Sequence, residues 1–434
     1  MQRFLKLASP RALRTLALVV TVAACLGLAN GCGCSVRIGG RKVKPSFPVE
    51  KELSTVPGVS IVCMDRRSGG STMASSSGQR AEVRCEGHQF LDSLRAIRGD
   101  TSSPSAKWGN RPPIICHGAV PQGYFRIHAH TKRGGRDQLI RLVCQAFTQA
   151  GDWRVSLRLV EAEVTALTCP DLGALRFALV SDSRGSSGSG SSVVDGMRST
   201  HGTTTVAQFA EMLTDQSRED AVSVGQEAQR SARFVDETGI EGVVEGEIRW
   251  EKGDHAGLLA ALRQAGLVPV VKRRLIWAIV VEPKASTSVM PSSLFGVSAE
   301  DLVDVLGEPT NRGELSPQGE REFFYDQPDK QISFLIVKGT VRAVGIRSGA
   351  TVALSETIGI GAPMQRVTDL CGGYTSEQDI GEDTPSDDLR EGVLYRQTLP
   401  GNESRYVLHY PELKLRVTFL PGRTLHTIWI GNPR

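Results

Sequence analysis

Among the 8 histidines of this 434-residue chain, His128 and His130 form the one close pair. Alternate residues of a strand face the same way, so both imidazoles can reach one metal ion. Cys116 and His117 fall on the strand expected beside them. Together they would supply the nitrogen and sulfur ligands that a tetrahedral zinc or copper site takes. Neither a two-histidine zinc helix nor a paired-cysteine signature accompanies them. The residues therefore favour the plainer reading, a polar strand face beside a disulfide cysteine, and no metal or other cofactor is expected. Glu382, Asp383, Asp387 and Asp388 offer carboxylates for calcium without the ordered spacing of a calcium loop, and read as a solvated loop. Residues 181–192 are almost pure Ser and Gly. No Lys-Ser/Thr follows the glycines as a phosphate cradle requires, so they read as a mobile loop. No Gly-x-Ser-x-Gly elbow precedes a helix. Trp108, Trp153, Trp250, Trp277 and Trp429 are candidates for a sugar groove, but most lie in apolar strands and read as core.

The elements that must carry these residues have clear punctuation in places. Tyr124 to His130 and Pro112 to Cys116 read as strands, and Phe90, Leu91, Leu94 and Ile97 as a short helix. Asp137 is placed to cap a helix with the stripe Leu139, Leu142, Val143, Ala146 and Phe147. Trp153 to Val164 alternates, Val155, Leu157 and Leu159 against Arg154, Ser156 and Arg158, as a strand with one wet face. Thr205 and Gln208 form a capping box ahead of Val206, Phe209, Ala210 and Leu213. The stretch Phe234 to Pro283 reads strand, helix, strand. Asp254 starts its helix and Gly266 ends it. Arg273 and Arg274 are expected in a turn before the buried run Leu275 to Val281.

The N-terminus reads as an export signal over residues 1–31. Arg3, Lys6, Arg11 and Arg14 precede the apolar segment Leu16 to Leu28, which is too short to span a membrane stably. Val22-Ala23-Ala24-Cys25 looks like a bacterial lipobox, and Leu28-Ala29-Asn30-Gly31-Cys32 is a second candidate. Cys25 or Cys32 would then carry a lipid and tether the protein to the membrane. Export makes disulfides available. Cys63, Cys85, Cys116, Cys144 and Cys169 are the candidates for one or two bridges, with connectivity open, and Cys371 reads as a buried free thiol. The net charge of +4, with acids and bases interspersed, argues against a nucleic-acid partner.

The length implies several domains. Residues 32–84 read as a flexible tether, rich in Ser, Gly, Pro and charge. Residues 85–283 form a central strand–helix–strand region, and Lys284 to Ser293 a linker. Residues 294–348 and 358–434 then read as two copies of a helix–hairpin unit. Gly296 to Gly307 aligns with Gly361 to Gly372 without a gap. Phe323 and Tyr325 match Leu408 and Tyr410, and Val341 to Ile346 matches Leu425 to Ile430. Lys338-Gly339 and Pro421-Gly422 supply hairpin glycines. The fold class expected is α+β, with several small mixed or antiparallel sheets, each packed with one or two helices.

Three resemblances sharpen this reading. The series Phe90-Leu91-Asp92-Ser93-Leu94, Tyr124 to Ala129, Gln138 to Leu142, Phe177 to Val180, Val206 to Ala210 and Val235 to Gly242 resembles a soil-associated bacterial protein family of unknown function. Asp236-Glu237-Thr238-Gly239 with Gly242 is its most specific piece. Ile240 to Val281, chiefly Leu258 to Leu262 and Gly266-Leu267, resembles the short N-terminal domain of secretins and TonB-dependent receptors. That resemblance implies a small sheet docking onto periplasmic partners. The helix–hairpin units, with Gly307-Glu308-Pro309 in the first, are similar to the SmpA/OmlA outer-membrane lipoprotein family, which implies protein-binding modules. The function expected is non-catalytic docking or scaffolding in the cell envelope, with an envelope protein as partner and the membrane reached through a lipid anchor. An envelope hydrolase and a ligand-sensing lipoprotein are the alternatives.

Overall fold

A computed structural model describes residues 47–431 except 48, 65–70, 78–79, 99–111, 118–120, 133–134, 181–188, 224–232, 285–289, 328–329, 348–352, 356, 382–387 and 400–403. The export signal, Cys25, Cys32, Trp108, Glu382, Asp383, Asp387 and residues 181–188 of the Ser/Gly segment lie outside the described residues.

Alternation of apolar and polar residues in its two inner strands builds the first sheet. It joins β1 (Val59–Met64), β2 (Ser71–Ser77), β3 (Arg80–Gln89) and β5 (Tyr124–Thr131) in the order β1-β5-β3-β2, all antiparallel. Ile61, Cys63, Val83, Cys85, Phe125 and Ile127 point to one side and are buried with α1 (Phe90–Arg98) and α2 (Gly135–Ala150). Phe147 of α2 meets Phe90 and Phe125 edge-on, with ring centroids 4.9 and 5.4 Å apart. The expected tether at 32–84 is therefore corrected. From Phe47 onward its described part belongs to a packed core, and Ser and Gly at residues 68–79 masked an edge hairpin.

Among the described residues no cysteine is in a disulfide, contrary to the bridges expected. Cys63 lies on β1 and Cys85 on β3 with β5 between them. Two strand spacings are about 9–10 Å, beyond the roughly 7 Å between Cα atoms that a disulfide tolerates. Burial pushes the Cys85 thiol up to about 11 and Cys144 up to about 12. Cys116, Cys169 and Cys371 are in no disulfide, and Cys371 is fully buried as expected.

The second sheet is the hub. Its strands β4 (Ile114–Cys116), β6 (Trp153–Thr168), β10 (Phe234–Asp236) and β12 (Val268–Pro283) run in the order β10-β6-β12-β4. β6 and β12 pair over 16 residues each. Arg273 and Arg274 thus lie inside a strand and not in a turn. The expected wet face of β6 is also closed. Ser156 and Arg158 are buried, and Arg158 grips Glu282 with both terminal nitrogens, at 3.1 and 3.0 Å.

The third sheet, in the order β7-β11-β9-β8, contains β7 (Ala178–Val180), β8 (Ser189–Val194), β9 (Met197–Thr204) and β11 (Val243–Glu251). α3 (Val206–Ser223) and α4 (His255–Gln264) share its core through Phe209, Leu213, Leu258 and Leu262. The capping box forms: Gln208 N donates to Thr205 Oγ1 at 3.2 Å, and Thr205 N to Gln208 Oε1 at 3.3 Å. Asp254 accepts from Gly257 N at 2.9 Å. Residues 189–192 belong to an edge strand and not to the expected loop. β11 and β12 enter different sheets, so the small three-element sheet expected for Phe234 to Pro283 does not form. The family-like Asp236-Glu237-Thr238-Gly239 is a turn. Asp236 Oδ1 accepts from Thr238 N and Oγ1, at 2.9 and 2.7 Å, and Gly239 takes the left-handed conformation.

The fourth sheet has nine strands. One unit contributes α5 (Ala299–Leu306), β13 (Asn311–Arg312), β14 (Glu320–Gln327), β15 (Lys330–Val337) and β16 (Thr340–Ile346). The other contributes α6 (Met364–Cys371), β17 (Ser376–Ile380), β18 (Val393–Thr398), β19 (Ser404–Tyr410), β20 (Leu415–Phe419) and β21 (Leu425–Gly431). They join antiparallel at β16–β21. The same bonds hold each helix in place. Gly296 N donates to Val341 O and Val341 N to Val297 O. In the second unit Gly361 N donates to Leu425 O and Leu425 N to Ala362 O. Tyr325 Oη donates to the C-capping Gly307 O, and Tyr410 Oη to Gly372 O, both at 3.0 Å. Tyr325→Phe and Tyr410→Phe should each lower stability by about 1 kcal/mol, the worth of one such bond. Denaturation midpoints of the two variants check this. One turn differs from expectation: Arg423, not Gly422, takes the left-handed conformation.

The α+β class with mixed and antiparallel sheets holds, and no sheet closes. The sheets are nevertheless not independent. Leu159 and Leu275 of the hub share one apolar cluster with Tyr325 and Leu415 of the fourth sheet, Leu302 of α5 and Val367 of α6. The linker is docked at its end, where Pro291 to Leu294 form a buried helical turn and Ser292 Oγ accepts from Leu159 N at 3.2 Å.

Candidate functional site

The outward face of the first sheet gathers the chemistry-bearing residues. Strand alternation sends Arg126, His128 and His130 of β5 to solvent, and Arg80, Glu82, Arg84 and Glu86 of β3 to the same side. Register then sets them in rows. Glu82 stands opposite His130, Arg84 opposite His128, and Glu86 beside Arg126. β1 adds Ser60 next to His128, and β2 adds Ser75 next to Glu82 and Met73 next to Arg84. The two imidazoles are neighbours, with ring centroids 5.9 Å apart.

Their partners are ionic. Glu82 Oε1 accepts from Arg84 Nε at 2.8 Å and lies 3.1 Å from His128 Nε2. Glu86 Oε1 accepts from Arg126 Nη2 at 3.1 Å. The hydrogen bonds from Arg84 and His128 hold the Glu82 carboxyl below its ordinary value, so it is a carboxylate at neutral pH. Arg80 and Lys132 have no carboxylate partner among the described residues. Four cations thus face two carboxylates when both histidines are neutral. At one end of the rows lies an open groove of about 600 Å³.

Cys116 and His117 are not part of this face. β4 pairs parallel with β12 in the hub, Cys116 opposite Val281, and does not join β5. The four-ligand set considered from the sequence is therefore not assembled. Among the described residues no three His, Cys, Asp or Glu side chains are grouped to hold a metal ion. Of the tryptophans, Trp250 is buried, while Trp153 and Trp277 pack against cores. Trp429 is half-buried over Gly345 on the opposite face of the fourth sheet, where a Cβ at Gly345 would come within 2.7 Å of its ring. Gly345→Ala should cost about 1–3 kcal/mol by overpacking, measurable as a lowered denaturation midpoint.

Sequence reasoning misses four of these residues because Arg80, Glu82 and Arg84 fall inside the expected tether at 32–84, and Glu86 lies at the start of the central region ahead of its first expected element. The signal was present as a period of two, charged residues alternating with Ala81, Val83 and Cys85.

No protein-family model matches the chain, and no curated protein matches it. Among solved structures, an extracellular protein containing a SCP domain from Bacillus anthracis str. Ames is similar at 13% identity with a TM-score of 0.22. The match covers 34% of this chain and 47% of that one, so this chain spans about half the length of that protein. A likeness of that size carries no argument for fold or function. No helix among the described residues is long and apolar enough to cross a membrane.

Proposed function

We propose that the protein is an exported, lipid-anchored docking protein of the bacterial cell envelope that works without catalysis. Its docking surface is the outward face of the first sheet. The observation that carries this reading is the division of labour across that sheet. One side is wholly committed to the aromatic core, and the other presents rows of exposed Arg, Glu and His. Such a flat, ion-studded face suits a large partner. The basic leader and the residues before Cys25 and Cys32 support export and anchoring. The like-built C-terminal units support the resemblance to the SmpA/OmlA family, whose modules bind proteins.

Two experiments test it. Labelling cells with a clickable fatty acid should mark the chain, and Cys25→Ser or Cys32→Ser should abolish the mark. An unlabelled wild-type chain rules out the anchor. Pull-down from solubilised envelope should recover a partner with the full chain and lose it with Arg84→Glu/Arg126→Glu. Recovery undiminished by that reversal rules out this face.

A further inference from the structure

We propose that the end of this face formed by Arg80, Lys132 and His130 is a binding groove for a phosphate group. The inference deepens the docking reading and rests on it for the choice of face, but the geometry behind it is separate. The groove of about 600 Å³ is lined by Ser75, Arg80, Glu82, Arg84, His130 and Lys132, with His128 beside them.

Charge pairing divides these residues into two sets. Glu82 is already engaged by Arg84 at 2.8 Å and His128 at 3.1 Å, so the one carboxylate in the groove is neutralised from within. Arg80 and Lys132 line the same groove, and neither has a carboxylate partner among the described residues. His130 stands opposite Glu82 across the β3–β5 pair, and its backbone N is tied to Gly58 O at 2.9 Å, which fixes the strand that carries the ring.

A guanidinium fork, an ammonium and an imidazole, with the Ser75 hydroxyl beside them, match the several acceptor oxygens of one phosphate. A lone carboxylate would leave part of that set unused. The other charged groups facing His130 are Glu82 and His128 on the sheet, and Arg80 and Lys132 on the rim. The same phosphate chemistry is offered by a soluble phosphate ester and by a phospholipid headgroup.

The full chain in nonionic detergent, titrated with inorganic pyrophosphate by calorimetry, tests this. The wild type should bind, and Arg80→Ser/Lys132→Ser should bind at least about tenfold more weakly. Arg249→Ser/Arg263→Ser removes the same charge from exposed positions of the third sheet and its helix and should keep wild-type affinity. His130→Gln should also weaken binding, by less than the double variant, because it removes one donor and leaves both fixed cations in place. Competition for the pyrophosphate site assigns the source. Displacement by short-chain phosphatidylglycerol but not by glycerol phosphate marks a lipid headgroup, and displacement by glycerol phosphate marks a soluble ester. No pyrophosphate binding, or equal weakening in both double variants, overturns the proposal. If phosphate binding is absent while partner recovery still depends on Arg84 and Arg126, this inference falls and the docking reading stands.

Discussion

Replacing Glu161 with Gln lowers the stability of the chain by about 2–4 kcal/mol. Glu161 sits on β6, and its side chain has no exposed surface. Its Oε1 accepts from Ser355 Oγ at 2.8 Å, Thr357 N at 2.8 Å and Thr357 Oγ1 at 2.6 Å. Its Oε2 lies 3.4 Å from Arg366 Nη2 at α6 and 3.7 Å from Arg273 Nη2. One carboxylate thus fastens the hub to the segment that leads into α6. An amide keeps the shape, but it replaces an acceptor oxygen with a donor facing other donors, and leaves Arg366 without its charge.

The same carboxylate makes stability depend on pH. Burial alone pushes the Glu161 carboxyl up, but the hydrogen bonds from Thr357 and Ser355 and the charge of Arg366 outweigh it and leave the group below its ordinary value. Glu237 is lowered in the same way, with burial opposed by bonds from Arg274 and Lys272. A carboxyl lowered on folding stabilises above its unfolded value of about 4.3. That contribution is lost as pH falls through the folded value. Stability should therefore decline below about pH 4, and less steeply in Glu161→Gln. Denaturant midpoints across that range check both points, and a variant with the wild-type slope would contradict them.

Arg141→Ala should cost about 3–5 kcal/mol, because it strips a buried site of charge and packing together. The Arg141 guanidinium on α2 lies 4.9 Å from the Trp277 ring centroid and 4.6 Å from that of Phe295. It donates to Phe295 O at 2.8 Å and to Leu157 O at 3.2 Å. Burial draws its titration down to about 10, against the opposing charge of Asp137, and it remains a cation at neutral pH. The side chain therefore bonds α2 to the hub and to the start of the fourth sheet at once. Arg141→Leu restores volume without the charge and should cost distinctly less than Ala. Equal losses would show that the hydrogen bonds, and not the packing, dominate.

Local signals were legible in the sequence, and long-range partners were not. The Thr205–Gln208 box and the Asp254 cap are short-range chemistry, and each forms as its residues dictate. The two helix–hairpin units were readable from Gly307, Gly372, Tyr325 and Tyr410. Nothing local told which sheet a strand would join, so β4 was set beside His128 when it pairs with β12, and β11 was joined to β12 when it belongs to another sheet. Alternation in β6 looked like a solvent face because Arg158 and Ser156 are polar. Glu282, 124 residues away, is what allows Arg158 to be buried there. The outward face of the first sheet was half legible, through His128 and His130. Its other half lay in residues whose Ser and Gly neighbours suggested a tether.

A photo-cross-linking side chain in place of Met73 tests the central claim most directly. Met73 is 70% exposed and sits on the outward face beside Arg84. In intact cells it should yield a discrete adduct with an envelope component, and Arg84→Glu should remove that adduct. The same probe at Leu172, which is 60% exposed outside this face, should yield none. An adduct from Leu172 and none from Met73 would contradict the account.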